Sequence, residues 1–141
     1  MSSTDADLAR ILASSRTVAI VGLSDKPDRD SNEVARYLRS QGYRIVPVNP
    51  AVPEVLGERS YPSLAAVPSD VAVDLVVIFR RPEAVPAVVD EAIARGVRAV
   101  WMQLGIEHPA AARRAREHGL AVVENACTMA THRRLGLAPV A

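Results

Sequence analysis

Polar residues 22–30 separate an apolar run from a segment with helical periodicity, and they include Ser24, Lys26 and Arg29. A connection from a strand into a helix presents free backbone N–H groups and the positive end of the helix dipole, which favour an anion such as pyrophosphate. The hydroxyl and the two cations would strengthen that preference. The same residues also fit a plain polar connection, and three aspartates in the loop weaken a purely electrostatic argument.

A second candidate anion contact is formed by Arg80 and Arg81, which precede Pro82 at the end of another apolar run. A guanidinium is planar and permanently charged, so it can pair with a phosphate or stack on an adenine ring. Two solvated arginines in front of a helix would give the same sequence. Their position directly after a predicted strand favours the ligand-binding interpretation.

Two common nucleotide-binding patterns are missing from the sequence. The dinucleotide fingerprint needs G-x-G-x-x-G after the first strand and an acid at the end of the second. This chain has one glycine in the first loop and ends the second strand with Val48, Asn49 and Pro50. The phosphate-loop pattern G-x-x-x-x-G-K-[ST] is also absent, so hydrolysis of a nucleoside triphosphate has no support.

Cys127 and His132 suggest a nucleophile with its base, or a metal site. A lone cysteine is more often a small buried apolar residue, and the two positions bring no third group to complete a catalytic set. No two of the three histidines have the spacing of metal ligands on a helix. The sequence therefore predicts no catalytic residue and no metal site, and it does not favour an enzyme.

The candidate residues follow apolar runs that predict buried strands, and helical periodicity lies between the runs. The predicted strands are residues 17–21, 44–48, 73–79, 97–102 and 120–123. The predicted helices are residues 5–15, 33–41, 84–95, 109–118 and a short one within 125–135, with a helical turn at 63–67. Thr4 and Asp30 are the expected N-caps, and Gly42 and Gly96 the expected stops.

This alternation predicts an α/β fold, a Rossmann-like doubly wound parallel five-stranded sheet in a three-layer α/β/α arrangement. In such sheets a ligand binds outside the carboxyl ends of the strands, where successive crossovers reverse direction. Both candidate anion contacts lie at predicted strand ends. The fold therefore supplies the reason why they would converge.

Composition narrows the class of protein further. The 141 residues carry a net charge of +1, which argues against general binding to nucleic acid or to a membrane. A single cysteine excludes an internal disulfide and fits a reducing compartment, and the N-terminus lacks the pattern of a signal peptide. We expect one cytoplasmic domain covering residues 1–141.

Several short motifs, in this order and over nearly the whole chain, resemble the CoA-binding domain family of small stand-alone proteins. The same fold resembles the CoA-binding domain of the succinyl-CoA synthetase α-subunit. The motifs are AIVGLS at 19–24 with Lys26 and Pro27, RYLRSQGY at 36–43, VPVNP at 46–50, YPS at 61–63, DLVVIF at 74–79 with Pro82, VWMQ at 100–103, and Cys127 with His132. Family members commonly have an arginine before that cysteine and a glutamate before that histidine, which this chain lacks.

The resemblance implies that the pyrophosphate of coenzyme A rests on residues 22–26 and that its adenine lies near residues 79–82. Residues 49–50 would line the adjoining wall and residues 103–105 the far side. The implied ligand contacts are Gly22, Leu23, Ser24, Lys26, Asn49, Pro50, Phe79, Arg80, Arg81, Pro82, Gln103 and Gly105.

Three functions follow as hypotheses. The first is non-catalytic binding of coenzyme A or a short acyl-CoA. The second is an NAD(P)-binding redox sensor, since the fold is shared. The third is an accessory subunit of a split acyl-CoA synthetase, which would need a partner chain because this sequence lacks room for the domain that carries a phosphorylated histidine. A homodimer or another protein partner is also compatible with the sequence.

Overall fold

Apolar runs rich in valine and isoleucine form the parallel strands of this protein, and the computed structural model describes residues 3–140. The strands are β1 (Thr17–Val21), β2 (Arg44–Val48), β3 (Glu54–Val55), β4 (Glu58–Arg59), β5 (Leu75–Ile78), β6 (Ala99–Met102) and β7 (Ala121–Val123). The helices are α1 (Asp5–Ser14), α2 (Asp30–Ser40), α3 (Val85–Arg95), α4 (Pro109–Glu117) and α5 (Thr128–Arg134). Short 3-10 turns occupy Leu64–Ala66 and Pro82–Ala84.

Five strands form one parallel sheet in the order β2-β1-β5-β6-β7. The register aligns Val18 of β1 with Ile45 of β2 on one side and with Leu75 of β5 on the other. The chain moves from β1 to β2 in one direction and then crosses back to β5. The direction of the crossovers therefore reverses between β1 and β5, and the predicted Rossmann-like α/β fold is confirmed.

Each face of the sheet is covered by its own set of helices. Along β1, Ala19 and Val21 join the core beneath α3 and α4, whereas Val18 and Ile20 join the core beneath α1, α2 and α5. This alternation follows from the two-residue period of a strand. Both faces are buried, which explains why the strands are continuously apolar. No helix within residues 3–140 is long and apolar enough to cross a membrane.

Capping residues close to the helix ends in the sequence define where α1 begins and where α3 ends. The Thr4 hydroxyl accepts from the Asp7 amide while the Asp7 carboxylate accepts from the Thr4 amide, which completes a capping box at α1. Gly96 ends α3 at φ +76°. The prediction for α2 was wrong in one respect: the helix begins at Asp30 itself, and Arg29 occupies the cap position without a side-chain cap.

The crossover from β2 to β5 contains a hairpin of β3 and β4 that the sequence did not predict, because two-residue strands show no readable alternation. The 3-10 turn that follows is held by Arg95 of α3. Its guanidinium donates to the carbonyls of Leu64, Val67, Pro68 and Val71. One side chain thus provides a hydrogen-bond donor to four backbone carbonyls of an irregular segment.

We expect Arg95→Met to lower the free energy of unfolding by about 2 kcal/mol, since the four carbonyls lose a charged donor while the aliphatic stem is kept. Urea unfolding followed by circular dichroism measures the change. The control is Arg98→Met at an exposed position, which should cost less than about 0.5 kcal/mol. Equal effects of the two substitutions would contradict the role given to Arg95.

Candidate functional site

A cavity of about 490 Å³ opens at the carboxyl ends of β1, β2 and β5, where the crossovers reverse. Five of its lining residues are ligand contacts predicted from the sequence: Gly22, Ser24, Lys26, Asn49 and Phe79. The remaining lining residues are Asp25, Arg29, Asp30, Ser31, Ala51 and Val52. The topology therefore brings the first loop, the end of β2 and the end of β5 to one place.

Gly22 forms the floor of this cavity between two neighbouring strands. Its amide donates to the Val48 carbonyl at 2.8 Å, and the Phe79 amide donates to the Val21 carbonyl at 2.8 Å. The backbone of Gly22 has φ +90°, and a Cβ there would collide with the Phe79 carbonyl oxygen. Only glycine fits, because the left-handed conformation and the close approach both exclude a side chain.

Side chains from outside the loop hold two of its carbonyls. The Asn49 Nδ2 donates to the Leu23 carbonyl at 2.9 Å, and the Asn32 Nδ2 donates to the Ser24 carbonyl at 2.9 Å. The Ser24 amide donates to the Ser31 hydroxyl at 3.0 Å. The loop is therefore fixed against α2 and the end of β2 rather than left as a free connection.

The first turn of α2 faces the cavity through Asp30 and Ser31. The first amides of a helix have no acceptor within the helix, and Arg29 provides no side-chain cap in the described chain. Lys26 and Arg29 are exposed beside them. Backbone donors, a helix dipole and two exposed cations are the components of an anion site.

The residues after β5 divide between the cavity and its rim. Phe79 is half-buried and lines the cavity, whereas Arg80, Arg81 and Pro82 are exposed. The Arg80 Cδ lies 3.1 Å from the position that a Cβ of Gly22 would occupy, so its stem passes close to the floor. Arg81 precedes the 3-10 turn that begins at Pro82, and neither residue lines the cavity.

A family model described as "CoA binding domain" matches residues 16–133 of this chain. The chain belongs to the CoA-binding domain family. The matched residues include the cavity and every ligand contact predicted from the sequence.

The chain is similar to proteins of several organisms. Protein YneT of Bacillus subtilis strain 168, itself described as uncharacterized, is 36% identical over 90% of this chain and 93% of its own length. A solved structure of a hypothetical protein from Pyrococcus horikoshii OT3 superposes with a TM-score of 0.90 at 39% identity, covering 96% of this chain and 94% of that one. An ADP-forming acetate–CoA ligase of Archaeoglobus fulgidus is 33% identical over 54% of this chain, which corresponds to 11% of the ligase.

Within this CoA-binding domain, Leu23, Pro50, Gln103 and Gly105 do not line the cavity. Leu23 is fully buried in the core, and Pro50 is exposed next to the lining residues. The Gln103 side chain is buried, and its Oε1 accepts from the Thr128 amide at 2.8 Å. Gly105 donates to the Asn125 side chain at 2.7 Å. Gln103 and Gly105 thus attach the tail to the end of β6.

The tail of the domain places its cysteine and histidine in different surroundings. Cys127 precedes α5 and is half-buried, whereas His132 is 1% exposed. The His132 Nδ1 lies 2.7 Å from the Tyr37 hydroxyl on α2, and its Nε2 has no partner with normal hydrogen-bond geometry in the described chain. Burial lowers the pKa of His132, an effect that the backbone of Ala138 partly offsets. Among residues 3–140 no cluster of three metal-ligating side chains occurs.

Sequence reasoning placed Ser31 at the end of the first candidate segment, residues 22–31, and missed Asn32, Arg36, Ala51 and Val52 around this site. The buried pair Ser31 and Asn32 was readable in principle, because Ser31 lies one helical turn before the buried Ala35. The expectation that α2 started at residue 33 hid that pattern.

Proposed function

We propose that this protein is a non-catalytic binding module for coenzyme A or a short acyl-CoA, with residues 1–141 as one binding unit. The observation that supports the proposal best is the cavity at the reversal of the crossovers, where the loop that begins at Gly22 lies beside a helix N-terminus without a side-chain cap. A pyrophosphate fits this chemistry because it accepts hydrogen bonds and carries negative charge.

The charged residues at the rim suit the rest of such a ligand. Lys26 and Arg29 would neutralise the pyrophosphate, and Arg80 would reach it along the floor. A half-buried Phe79 with exposed Arg81 offers an apolar and cationic surface for adenine or the 3′-phosphate. Asp25, Asp28 and Asp30 oppose an anion, so we assign affinity to placed donors rather than to net charge.

A binding role is also supported by the state of the candidate catalytic groups. His132 is buried, its Nδ1 pairs with the Tyr37 hydroxyl, and its Nε2 has no partner with normal hydrogen-bond geometry among the described residues, so His132 makes no hydrogen bond to the Cys127 thiol. The match to the acetate–CoA ligase covers 11% of that protein, so ligase chemistry is not transferred to this chain.

The test is calorimetric titration of ligand-free protein with coenzyme A, dephospho-CoA and NADH in parallel. We expect binding of coenzyme A, weaker binding of dephospho-CoA because an arginine loses its phosphate partner, and the weakest binding of NADH. NADH binding that exceeds coenzyme A binding would favour the redox-sensor alternative. No heat with coenzyme A or acetyl-CoA at millimolar concentration would overturn the proposal.

A further inference from the structure

Arg36, on the exposed side of α2, makes a hydrogen bond to the loop between β1 and α2, residues 22–29, without lining the cavity. Its Nη2 donates to the Pro27 carbonyl at 3.0 Å, and its Nε donates to the Asn32 Oδ1 at 2.9 Å. Asn32 is 2% exposed and links Arg36 to the loop, since its Nδ2 donates to the Ser24 carbonyl. One guanidinium therefore holds the loop at two carbonyls, directly at Pro27 and through Asn32 at Ser24.

The helical period explains why this arrangement works. Positions 32 and 36 lie one turn apart on α2, so their side chains are neighbours. A guanidinium directs Nε and Nη2 along one fixed fork, which matches two acceptors at once. An ammonium group on a flexible stem has no such fixed geometry.

The effect on the cavity is electrostatic as well as steric. The carbonyls of Leu23, Ser24 and Pro27 each accept from a side chain, namely Asn49, Asn32 and Arg36. A carbonyl held by such a donor is oriented toward that donor rather than toward a neighbouring anion. Orientation that exists before binding also lowers the entropy lost when the ligand binds.

We propose that Arg36 is a positioning residue for the anion site: it orders residues 24–27 through Pro27 and Asn32 and so raises affinity without contacting the ligand. The inference rests on the proposed function for its effect on affinity. Its effect on the loop is independent of any ligand.

The experiment compares wild type with Arg36→Gln, Arg36→Lys and the control Arg44→Gln. Arg44 is an exposed arginine at the opposite end of the sheet, so its substitution removes the same charge away from the cavity. Two quantities are measured: the dissociation constant for coenzyme A, and amide hydrogen exchange of residues 23–29 in the ligand-free protein. Thermal unfolding confirms that each variant is folded.

Arg36→Gln should weaken coenzyme A binding about tenfold and speed exchange in the loop, while Arg44→Gln changes neither. Arg36→Lys should recover only part of both effects. Unchanged binding or unchanged exchange in Arg36→Gln would overturn the inference, as would full recovery by lysine, which would indicate charge alone. If wild type does not bind coenzyme A, the proposed function fails, and the exchange data alone decide whether Arg36 orders the loop.

Discussion

Gly22→Ala is expected to remove measurable coenzyme A binding and to lower the free energy of unfolding by about 3 kcal/mol. Two costs add at this position. Alanine is strained at φ +90°, and its Cβ would collide with the Phe79 carbonyl oxygen between the ends of β1 and β5. The collision involves backbone, so relief requires the two strand ends to separate. That movement distorts the floor on which the phosphates would rest.

Gly96→Ala is the matched control for this prediction. Gly96 ends α3 at φ +76°, and a Cβ there meets no described atom within 4 Å. The substitution should cost only the left-handed strain, about 1 kcal/mol, and should leave coenzyme A binding unchanged. Urea unfolding and calorimetric titration measure both quantities. Equal losses of stability in the two variants would show that the close approach at Gly22 has no energetic consequence.

Much of the fold was predictable because its signals are local in the sequence. Continuous apolar runs marked β1 and β2 with their observed bounds, since the four buried positions of each strand are apolar and only the first residues, Thr17 and Arg44, are polar. Glycine after a periodic segment marked the end of α3 in the same way. Pro109 was predicted in the first turn of α4 and is its first residue. Proline is favourable there because it has no backbone N–H, and the first N–H of a helix has no acceptor within the helix.

The predictions failed or stopped where an answer depended on contacts between distant segments. Asp30 had the right residue type for a cap, but Ser31 rather than Asp30 bonds back to the loop, at the Ser24 amide. The roles of Asn32 and Arg36 require knowing where the loop folds over α2. The ligand contact of Gln103 stays a prediction, whereas the buried hydrogen bond that its Oε1 accepts from the Thr128 amide could not be read from the sequence, because the two residues lie 25 positions apart.

Helix α2 connects the candidate site to the tail. Its first turn faces the cavity and Arg36 holds the loop, while the next residue, Tyr37, contacts His132 of α5. The His132 ring also makes edge contacts with Tyr37 and Tyr43, at centroid distances of 5.4 Å and 6.2 Å. Burial raises the pKa of Tyr43 to about 12, so this phenol stays neutral. Burial of His132 between α5 and α2 disfavours its charged form, which lowers its pKa.

Stability should consequently fall in mildly acidic solution. Burial lowers the pKa of His132 in the folded protein, whereas the unfolded chain titrates near its usual value of 6.5. Below that pH the unfolded state binds a proton that the folded state does not, so the free energy of unfolding decreases as pH falls. With one proton involved, the free energy of unfolding changes by at most about 1.4 kcal/mol per pH unit. This decrease stops once the pH falls below the lowered pKa of the folded protein. Above pH 6.5, the pKa in the unfolded chain, His132 is neutral in both states and its contribution to the free energy of unfolding is complete.

His132→Phe removes the titrating group, so the free energy of unfolding should depend less on pH below 6.5. At pH 7.5 the substitution should lower that free energy by about 1–2 kcal/mol, because the Tyr37 hydroxyl loses its partner. Chemical unfolding between pH 5 and pH 8 measures the slope, and the difference between variant and wild type isolates His132. His118→Gln, at the exposed end of α4, is the control, because it removes a histidine and leaves His132 in place. The carboxylates of Asp5 and Asp7 have pKa values lowered from 3.8 by Arg134 and by the Thr4 backbone, respectively, and thus titrate below the window. A His132→Phe protein with the pH dependence of wild type would therefore exclude His132 as the group responsible.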